Sequence, residues 1–594
     1  MAREGFSTKR RLLVWGGASL LVGALGGCAE ILGLEPPGGS GGAGGGGGTG
    51  AAGGGTGGTG TTTSTTATCT DPEECPLSGL PECHVRTCVG GVCGSEPATG
   101  GRTIPCYDGP PGTDGVGLCM AGTTTCVDGK PQPCVGQVLP QQEICDNAVD
   151  EDCNGFTSCG GAVQQAMLFT GTGQNRLQGV LAGPSGELYV TGKFASSGSI
   201  GGCEFGSGTP GAFVAKLDPT LKCEWVASVA GAGSGTTLSQ LVFFQGDVWA
   251  VGSVDGTATV NADDTMAMLS PSQTDAMVIG VTPAGKLSGA YLIGGQGLDY
   301  GTNIAAGTSL FVAVEEQSGE GYVKGVTNGA MVPYTVEGAT PATLVAGLSS
   351  QPWVRTFTGE TSMVPRALAA HDDRVLVGGG LVGKSSPGLG CPLMPASSGG
   401  RGYVFDTPAD AAGSTATTVC SLIGEDSSGA AVYTAAITPV VAGQYALVGF
   451  GNGSYADGCF QTPNVGGLNV GWVRVGMEQS TCFAARLLSG TGQSWAAGAV
   501  MGPNAALVGG SFDGALEGKV SKGLRDVFVH RYSADLTKLI WSSELGSTGD
   551  DEFWGMVASP VDSTVVVVGA CRGQGFAGDK DCDAEDGFLA RLAP

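Results

Sequence analysis

A short apolar run rich in β-branched residues recurs from about Gly161 to the end of the chain, and it usually ends in glycine. Successive copies lie roughly 60 to 70 residues apart, and a fixed period of this length is typical of repeat architectures. The third copy lacks the glycine. The seven copies are Leu188–Gly192, Val248–Gly252, Leu310–Val314, Val375–Gly378, Ala446–Gly449, Ala506–Gly509 and Val566–Gly569.

Further strands are predicted around each run. Apolar residues alternate with small or polar ones in a following segment, which is typical of a half-buried strand; examples are Phe213–Leu217, Met277–Val281, Phe528–Tyr532 and Phe588–Leu592. A third segment leads into a Gly-rich turn, as in Trp225–Val229 and Trp541–Leu545. With the apolar stretch before each run, every repeat has about four strands. The pattern predicts an all-β fold, a seven-bladed β-propeller over residues 161–594.

The two ends of this region complement each other. The last repeat ends at Pro594 after its third strand, and Ala166–Thr170 at the start resembles the fourth-strand segment Ala485–Ser489. Each of the two segments runs into a similar Gly-Thr-Gly-Gln turn. We therefore expect the N-terminal strand to complete the last blade, which would also cover an exposed sheet edge.

The repeats resemble a family of β-propeller repeats found in large secreted bacterial proteins. Its units carry a Tyr-Val-Thr-Gly strand and an Asp-x-Phe-Val-x-Lys-Leu strand, which Leu188–Gly192 and Phe213–Leu217 match well, whereas blades 3 to 5 match poorly. The resemblance implies a propeller fold and a location at the cell surface. It implies no particular chemistry, because one fold hosts many functions.

The N-terminus predicts export and lipidation. Three basic residues, Lys9 to Arg11, precede the apolar run from Leu12 to Leu25, which suits a signal peptide better than a membrane span. The run ends in Leu-Gly-Gly-Cys, which resembles the lipobox of bacterial lipoproteins and implies lipidation of Cys28. The alternative is an ordinary cleaved signal followed by an incidental cysteine. On the first interpretation, a lipid anchors the mature chain to the bacterial cell envelope, with the outer membrane as the expected site.

Composition then divides the remaining chain. Residues 28–68 comprise the cysteine expected to be lipidated and a flexible tether, which from about Pro36 consists almost entirely of Gly, Ser, Thr and Ala and has little apolar surface to bury. Of the 21 cysteines, 12 lie in the segment 69–160 and eight in the propeller region, and both even numbers fit disulfides formed in an oxidising compartment. Residues 1–27 are the predicted signal peptide.

Positions within the repeats suggest disulfide pairs inside single blades. Cys159 is a competing partner for Cys582. The suggested pairs are Cys203 with Cys223, Cys391 with Cys420, Cys459 with Cys482, and Cys571 with Cys582.

Two acidic segments are candidates for calcium, which prefers carboxylate and carbonyl oxygens. Cys145–Gly155 resembles a metal-binding motif of secreted, especially myxobacterial, proteins; a solvated acidic loop between cross-links is the alternative. Residues 579–586 begin like an EF-hand loop but lack its glycine and terminal glutamate, so a polar loop between strands is expected there. The candidate ligands in the first segment are Asp146, Asn147, Asp150, Asp152 and Asn154.

Charge and motif content exclude several function classes. The formal net charge of −25, with only 28 Lys and Arg, argues against a nucleic-acid partner. Residues 378–385 match the phosphate-loop pattern, but Pro387 and the glycines after it prevent the helix that such a loop needs, so no nucleotide is expected. The chain has three histidines, His84, His371 and His530, and no nucleophile elbow.

These exclusions leave two function classes. The favoured one is a non-enzymatic module that binds or scaffolds an extracellular protein or a polysaccharide, with no catalytic residues. The alternative is a propeller enzyme, a polysaccharide lyase or hydrolase, with acidic residues in the central channel. The side chains that line the channel discriminate between the two.

The lipid anchor gives the first testable prediction. Cys28→Ser removes the thiol that carries the diacylglycerol, so we expect the variant to lose the acyl mass and to leave the membrane fraction. Gly27→Ala is the matched control, since it keeps a small residue before the cleavage point and should remain lipidated. Mass spectrometry and fractionation measure both, and a Cys28→Ser chain that stays with the membranes would contradict the assignment.

Overall fold

A computed structural model describes two compact units, one ending at Cys159 and the other spanning Gly160 to Pro594. The described residues of the first unit are 69–75, 83–98, 101–109, 113–141, 149–151 and 153. The second unit is described except at 207, 232, 339, 350, 360, 372–373, 384–399, 410–418, 424–430, 442–443, 453–468, 478–481, 489, 503–504 and 578–579.

The first unit is held together by cross-links. Its described hydrophobic core is small, consisting of Cys83, Ala98 and Cys126 with two partly buried neighbours. The prediction of a disulfide-rich module is confirmed by five bonds: Cys69–Cys88, Cys75–Cys93, Cys83–Cys126, Cys106–Cys134 and Cys119–Cys153. A core of this size needs such bonds to stabilise it. Its elements are the 3-10 turn Pro72–Glu74 and the strands His84–Val89, Val92–Pro97, Thr103–Cys106, Gly122–Val127 and Lys130–Pro131.

The second unit consists of antiparallel sheets, each built on four strands, which confirms the all-β prediction. Within each sheet we number the strands from first to fourth. Sheet 1 contains Arg176–Ala182, Leu188–Phe194, Gly211–Leu217 and Cys223–Ala230; sheet 2 contains Thr237–Phe244, Asp247–Asp255, Thr274–Val281 and Leu287–Gly295; sheet 3 contains Tyr300–Ala306, Leu310–Glu316, Ala342–Leu348 and Trp353–Phe357.

The remaining sheets follow in chain order, and a single bridge between Gly400 and Ala431 links sheets 4 and 5. Sheet 4 contains Ser362–His371, Arg374–Val382, Gly400–Pro408 and Val419–Ile423; sheet 5 contains Ala431–Val441, Gln444–Asn452, Asn469–Met477 and Cys482–Leu487; sheet 6 contains Ser494–Met501, Ala505–Phe512, Asp526–Ser533 and Leu539–Leu545; sheet 7 contains Glu552–Ala558, Val565–Phe576, Lys580–Leu592 and, from the start of the unit, Val163–Phe169.

The fourth strand of sheet 7 therefore comes from far away in the sequence. Val163–Phe169 pairs antiparallel with Lys580–Leu592, and Ala166 lies opposite Ala590. The Phe169 side chain is fully buried, and its ring lies 4.8 Å from the ring of Phe213 in sheet 1. This strand thus fills the outer edge of sheet 7 and also contacts sheet 1.

Steric crowding explains why the recurring run contains a glycine. A Cβ at Gly192 would lie 1.9 Å from the carbonyl oxygen of Arg176, and one at Gly252 equally close to that of Thr237, both on the first strand. In sheet 3 the glycine lies on the first strand instead of the second, since Gly301 of the first strand is opposite Val314. The equivalent glycines in sheets 4 and 6 are Gly379 and Gly510, each one residue after the predicted position.

Each first strand also carries a β-bulge at the same place. The register shifts at Leu177/Gly179, Leu238/Gln240, Gly301/Asn303, Pro365/Ala367, Thr434/Ala436, Ala496/Gly498 and Phe553/Gly555. A bulge bends its strand and increases the local twist. The repeat therefore extends to the backbone shape of the seven first strands.

Hairpins inserted between the second and third strands of sheets 2 and 3 each pair with the fourth strand of the preceding sheet. Ala258–Ala262 of sheet 2 pairs with the fourth strand of sheet 1, and Glu320–Gly325 of sheet 3 pairs with the fourth strand of sheet 2. Single bridges, Ser199 with Thr170 and Leu516 with Gly490, make the same connection elsewhere. The described hairpins are Ser197–Ile200 with Cys203–Gly206, Ala258–Ala262 with Thr265–Leu269, Glu320–Gly325 with Met331–Thr335, and Ala515–Leu516 with Lys519–Val520.

The N-terminal strand gives the prediction of this section. Phe169→Ala leaves a cavity among Phe205, Phe213 and Gly198, so we expect a loss of about 3–5 kcal/mol in the free energy of unfolding. Val163→Ala, in the same strand at a side chain that is 39% exposed, should change it little. Urea unfolding measures both, and equal, small effects would show that the strand does not join sheet 7.

Candidate functional site

The first strands of sheets 2 to 7 enclose a cavity of about 130 Å³, which we call the central cavity. Three polar side chains face it: Gln240, Asn303 and Thr438. The Gln240 amide oxygen accepts a hydrogen bond from the backbone of Ile304 at 2.7 Å, while Asn303 Oδ1 is buried without a partner. The rest of the lining is Ala367, Leu368, Ala436, Ile437, Gly498, Ala499 and Met556. The described lining thus contains no Asp, Glu, Arg or His, and it offers hydrogen bonds but no acid or base.

A carboxylate cluster lies where sheets 2 and 3 meet. Asp275, Asp299 and Glu316 are each fully buried. Asp299 accepts hydrogen bonds from the backbone of Gly295 at 2.8 Å and of Gln317 at 2.8 Å. These contacts hold the turn after the fourth strand of sheet 2 against the end of the second strand of sheet 3.

Burial and mutual repulsion shape the electrostatics of this carboxylate cluster. Burial and the charge of Asp299 raise the pKa of Asp275 to about 6, and the same two causes raise the pKa of Glu316 to about 7. The Tyr334 hydroxyl donates to Glu316, and Tyr322 donates to Asp275 at 3.3 Å. Since both tyrosines belong to the inserted hairpin of sheet 3, the cluster fastens that hairpin.

A second buried charge network joins sheets 6, 7 and 1. Arg525 donates two hydrogen bonds to Asp550, at 2.7 and 2.8 Å, and a third to Glu552 at 2.7 Å. Arg176 and Arg572 both pair with Glu585. Every cation in this network has a carboxylate partner, so its residues act as structural cross-links between the sheets.

Glu585 corrects one expectation. Residues 579–586 were expected to form a polar loop, but the strand Lys580–Leu592 begins within this segment, and Glu585 is 1% exposed. The physical reason is the arginine pair, because two guanidinium groups compensate a buried carboxylate. Arg176 lies 409 residues away in the sequence, so no local pattern could reveal the contact.

The three histidines do not converge among the described residues. His84 lies in a strand of the first unit, and His371 ends the first strand of sheet 4. His530 is fully buried in the third strand of sheet 6, where its Nδ1 lies 2.8 Å from the Tyr532 hydroxyl. Burial lowers the pKa of His530 to about 3, so the ring is neutral and packs as part of the core.

The predicted site residues are only partly within the described chain. Asp150 is buried at 6% exposure, and Cys153 is bonded to Cys119. The structure joins Cys203 to Cys223 and Cys571 to Cys582, and Cys482 is also disulfide-bonded. Cys28, Asp146, Asn147, Asp152, Asn154, Cys391, Cys459 and the side chain of Cys420 lie outside the described residues.

Among the described residues, no helix is long and apolar enough to cross a membrane. Three of the described cysteines, Cys69, Cys75 and Cys93, have sulfur atoms close enough to share a metal ion. All three are already in disulfides, so they are not available as thiolate ligands.

Comparison with known proteins gives only distant similarities. No family model and no curated protein matches the chain. Among solved structures, the WD40 domain of Neurospora crassa Pan2 is similar at 9% identity and a TM-score of 0.35, covering 73% of this chain and 100% of that one. The hemagglutinin-neuraminidase ectodomain of parainfluenza virus 5 is similar at 8% identity and a TM-score of 0.27, over 73% and 83% of the two chains. Both similarities are too low to carry an argument about function.

The carboxylate cluster predicts a pH dependence. The folded state holds the Glu316 proton more tightly than the unfolded state, so this stabilisation is complete below about pH 4 and is lost as pH rises through about 7. Glu316→Gln removes the charge and keeps the side-chain size and one acceptor oxygen, and we expect a gain of up to about 3 kcal/mol at pH 8 and little change at pH 4. Thermal melting with EDTA present measures it, with exposed Glu320→Gln as control. A Glu316→Gln chain less stable than wild type at pH 8 would contradict the prediction.

Proposed function

We propose that this protein is a lipid-anchored module of the bacterial cell envelope that binds or scaffolds another macromolecule and performs no chemical step. The neutral lining of the central cavity is the observation that carries the proposal. A propeller lyase or hydrolase needs general acids and bases converging on its substrate. The carboxylates of the carboxylate cluster and of the arginine network are instead engaged between sheets.

The proposal includes a closed ring of seven blades. The seven sheets share one four-stranded plan, one bulge position and one steric role for glycine. Val163–Phe169 supplies the fourth strand of sheet 7 while contacting sheet 1. A ring closed in this way is a rigid support, and its inserted hairpins and loops provide the surface that can differ between proteins.

The proposed location rests on the N-terminus and on the disulfides. The basic and apolar leader and the Leu-Gly-Gly-Cys sequence support lipidation of Cys28, and a Gly-rich tether would separate the folded units from the membrane. Disulfides in both units support an oxidising compartment. Calcium at Asp146, Asn147, Asp150, Asp152 and Asn154 remains part of the proposal, supported by the oxygen donors of these residues.

The proposal is tested by measuring binding and product formation in the same mixtures. Intact cells treated with protease should lose the propeller, and the full chain should sediment with isolated envelope polysaccharide or with surface protein. The same mixtures should release no new reducing ends or unsaturated sugars. Product formation that Asn303→Ala abolishes would instead establish an enzyme at the central cavity.

A further inference from the structure

A second cavity, of about 290 Å³, opens between sheets 6 and 7. Its walls are mostly apolar: Val500, Met501, Leu507, Trp541, Ala558 and Val565. We call it the side cleft. Its volume is at the lower end of the range for pockets that hold small molecules.

One basic residue, Arg531, is among the residues that line the side cleft. Arg531 lies in the third strand of sheet 6, opposite Leu507 on one side and Trp541 on the other. It has no hydrogen-bond or ion-pair partner among the described residues. An arginine left uncompensated beside an apolar wall differs from the arginines of the network described above, all of which have carboxylate partners.

Comparison of sheet 6 with sheet 1 shows that sheet 6 lacks a carboxylate beside its cation. Lys216 and Trp225 of sheet 1 lie opposite each other as Arg531 and Trp541 do. Lys216 Nζ is compensated by Glu224, at 2.8 Å from its carboxylate oxygen. The residue before Trp541, which corresponds to Glu224, is Ile540. Sheet 6 thus keeps the cation and the tryptophan but has an apolar side chain in place of the carboxylate.

The tryptophans differ in the same way. Trp225 Nε1 donates to the carbonyl oxygen of Pro283 at 3.0 Å. Trp541 Nε1 is buried and has no hydrogen-bond partner among the described residues. The environment of Arg531 and Trp541 is therefore less completely satisfied than its counterpart in sheet 1.

We propose that the side cleft binds a small amphipathic anion, whose carboxylate takes the place of the missing glutamate beside Arg531. Its apolar part would lie along Leu507, Trp541 and Val565. Guanidinium groups pair with carboxylates with good geometry, and burying the hydrocarbon part adds affinity in proportion to its area. The cavity volume limits the ligand to a short chain or a single ring.

Octanoate titrated into the full chain tests the proposal by calorimetry and by tryptophan fluorescence. We expect saturable binding that Arg531→Gln weakens at least tenfold, while Lys216→Gln, at the equivalent position of sheet 1, leaves it unchanged. Octanol, which has the same chain without the charge, should bind at least tenfold more weakly than octanoate.

Ile540→Glu is a second variant that does not remove the arginine. It supplies the carboxylate that sheet 1 has, so we expect it to pair with Arg531, compete with octanoate and weaken binding at least tenfold in a chain that still unfolds cooperatively. Octanol binding as tightly as octanoate, or octanoate binding unaffected by Ile540→Glu, would overturn the proposal. Neither result would bear on the proposed role of the propeller as a binding module.

Discussion

The structure depends on how the backbone of each outer strand is paired. The fourth strand of a four-stranded sheet exposes a row of N–H and C=O groups, which bond to water unless a further strand, of the same chain or of another, pairs with them. In sheets 1 and 2 the hairpin inserted in the following sheet supplies those partners: Ala258–Ala262 for sheet 1 and Glu320–Gly325 for sheet 2. The outermost strand of the second case contains Pro333, which has no N–H to offer a further strand.

This pairing explains where the buried charges lie. Polar contacts hold an inserted hairpin in one position on the neighbouring sheet, because hydrogen bonds are more directional than apolar packing. Tyr334 fastens one hairpin to the carboxylate cluster, and Glu585 ties the third strand of sheet 7 to Arg176 of sheet 1. The described lining of the central cavity consists of two amides, one hydroxyl and apolar side chains.

Much of this fold could be predicted from the sequence because the repeat imposes it locally. The runs such as Leu188–Gly192 lie in second strands, and Val163–Phe169 pairs where the segment Ala166–Thr170 was expected to. The sequence does not show which glycine of a pair fills the crowded position. Gly378 and Gly379 are adjacent, and only the structure shows that Gly379 is the one facing the carbonyl oxygen of Val364. The side cleft and the charge networks could not be predicted. Their members lie in different repeats, and a sequence does not show which side chains face one another across sheets.

Hydrogen exchange of the N-terminal strand tests the central claim, that this strand is an integral part of the sheet made by the last repeat. The account predicts that backbone amides of Val163–Phe169 paired with Lys580–Leu592 exchange as slowly as those of the latter strand, because the two open together. Rapid exchange throughout Val163–Phe169, with Lys580–Leu592 still protected, would contradict it.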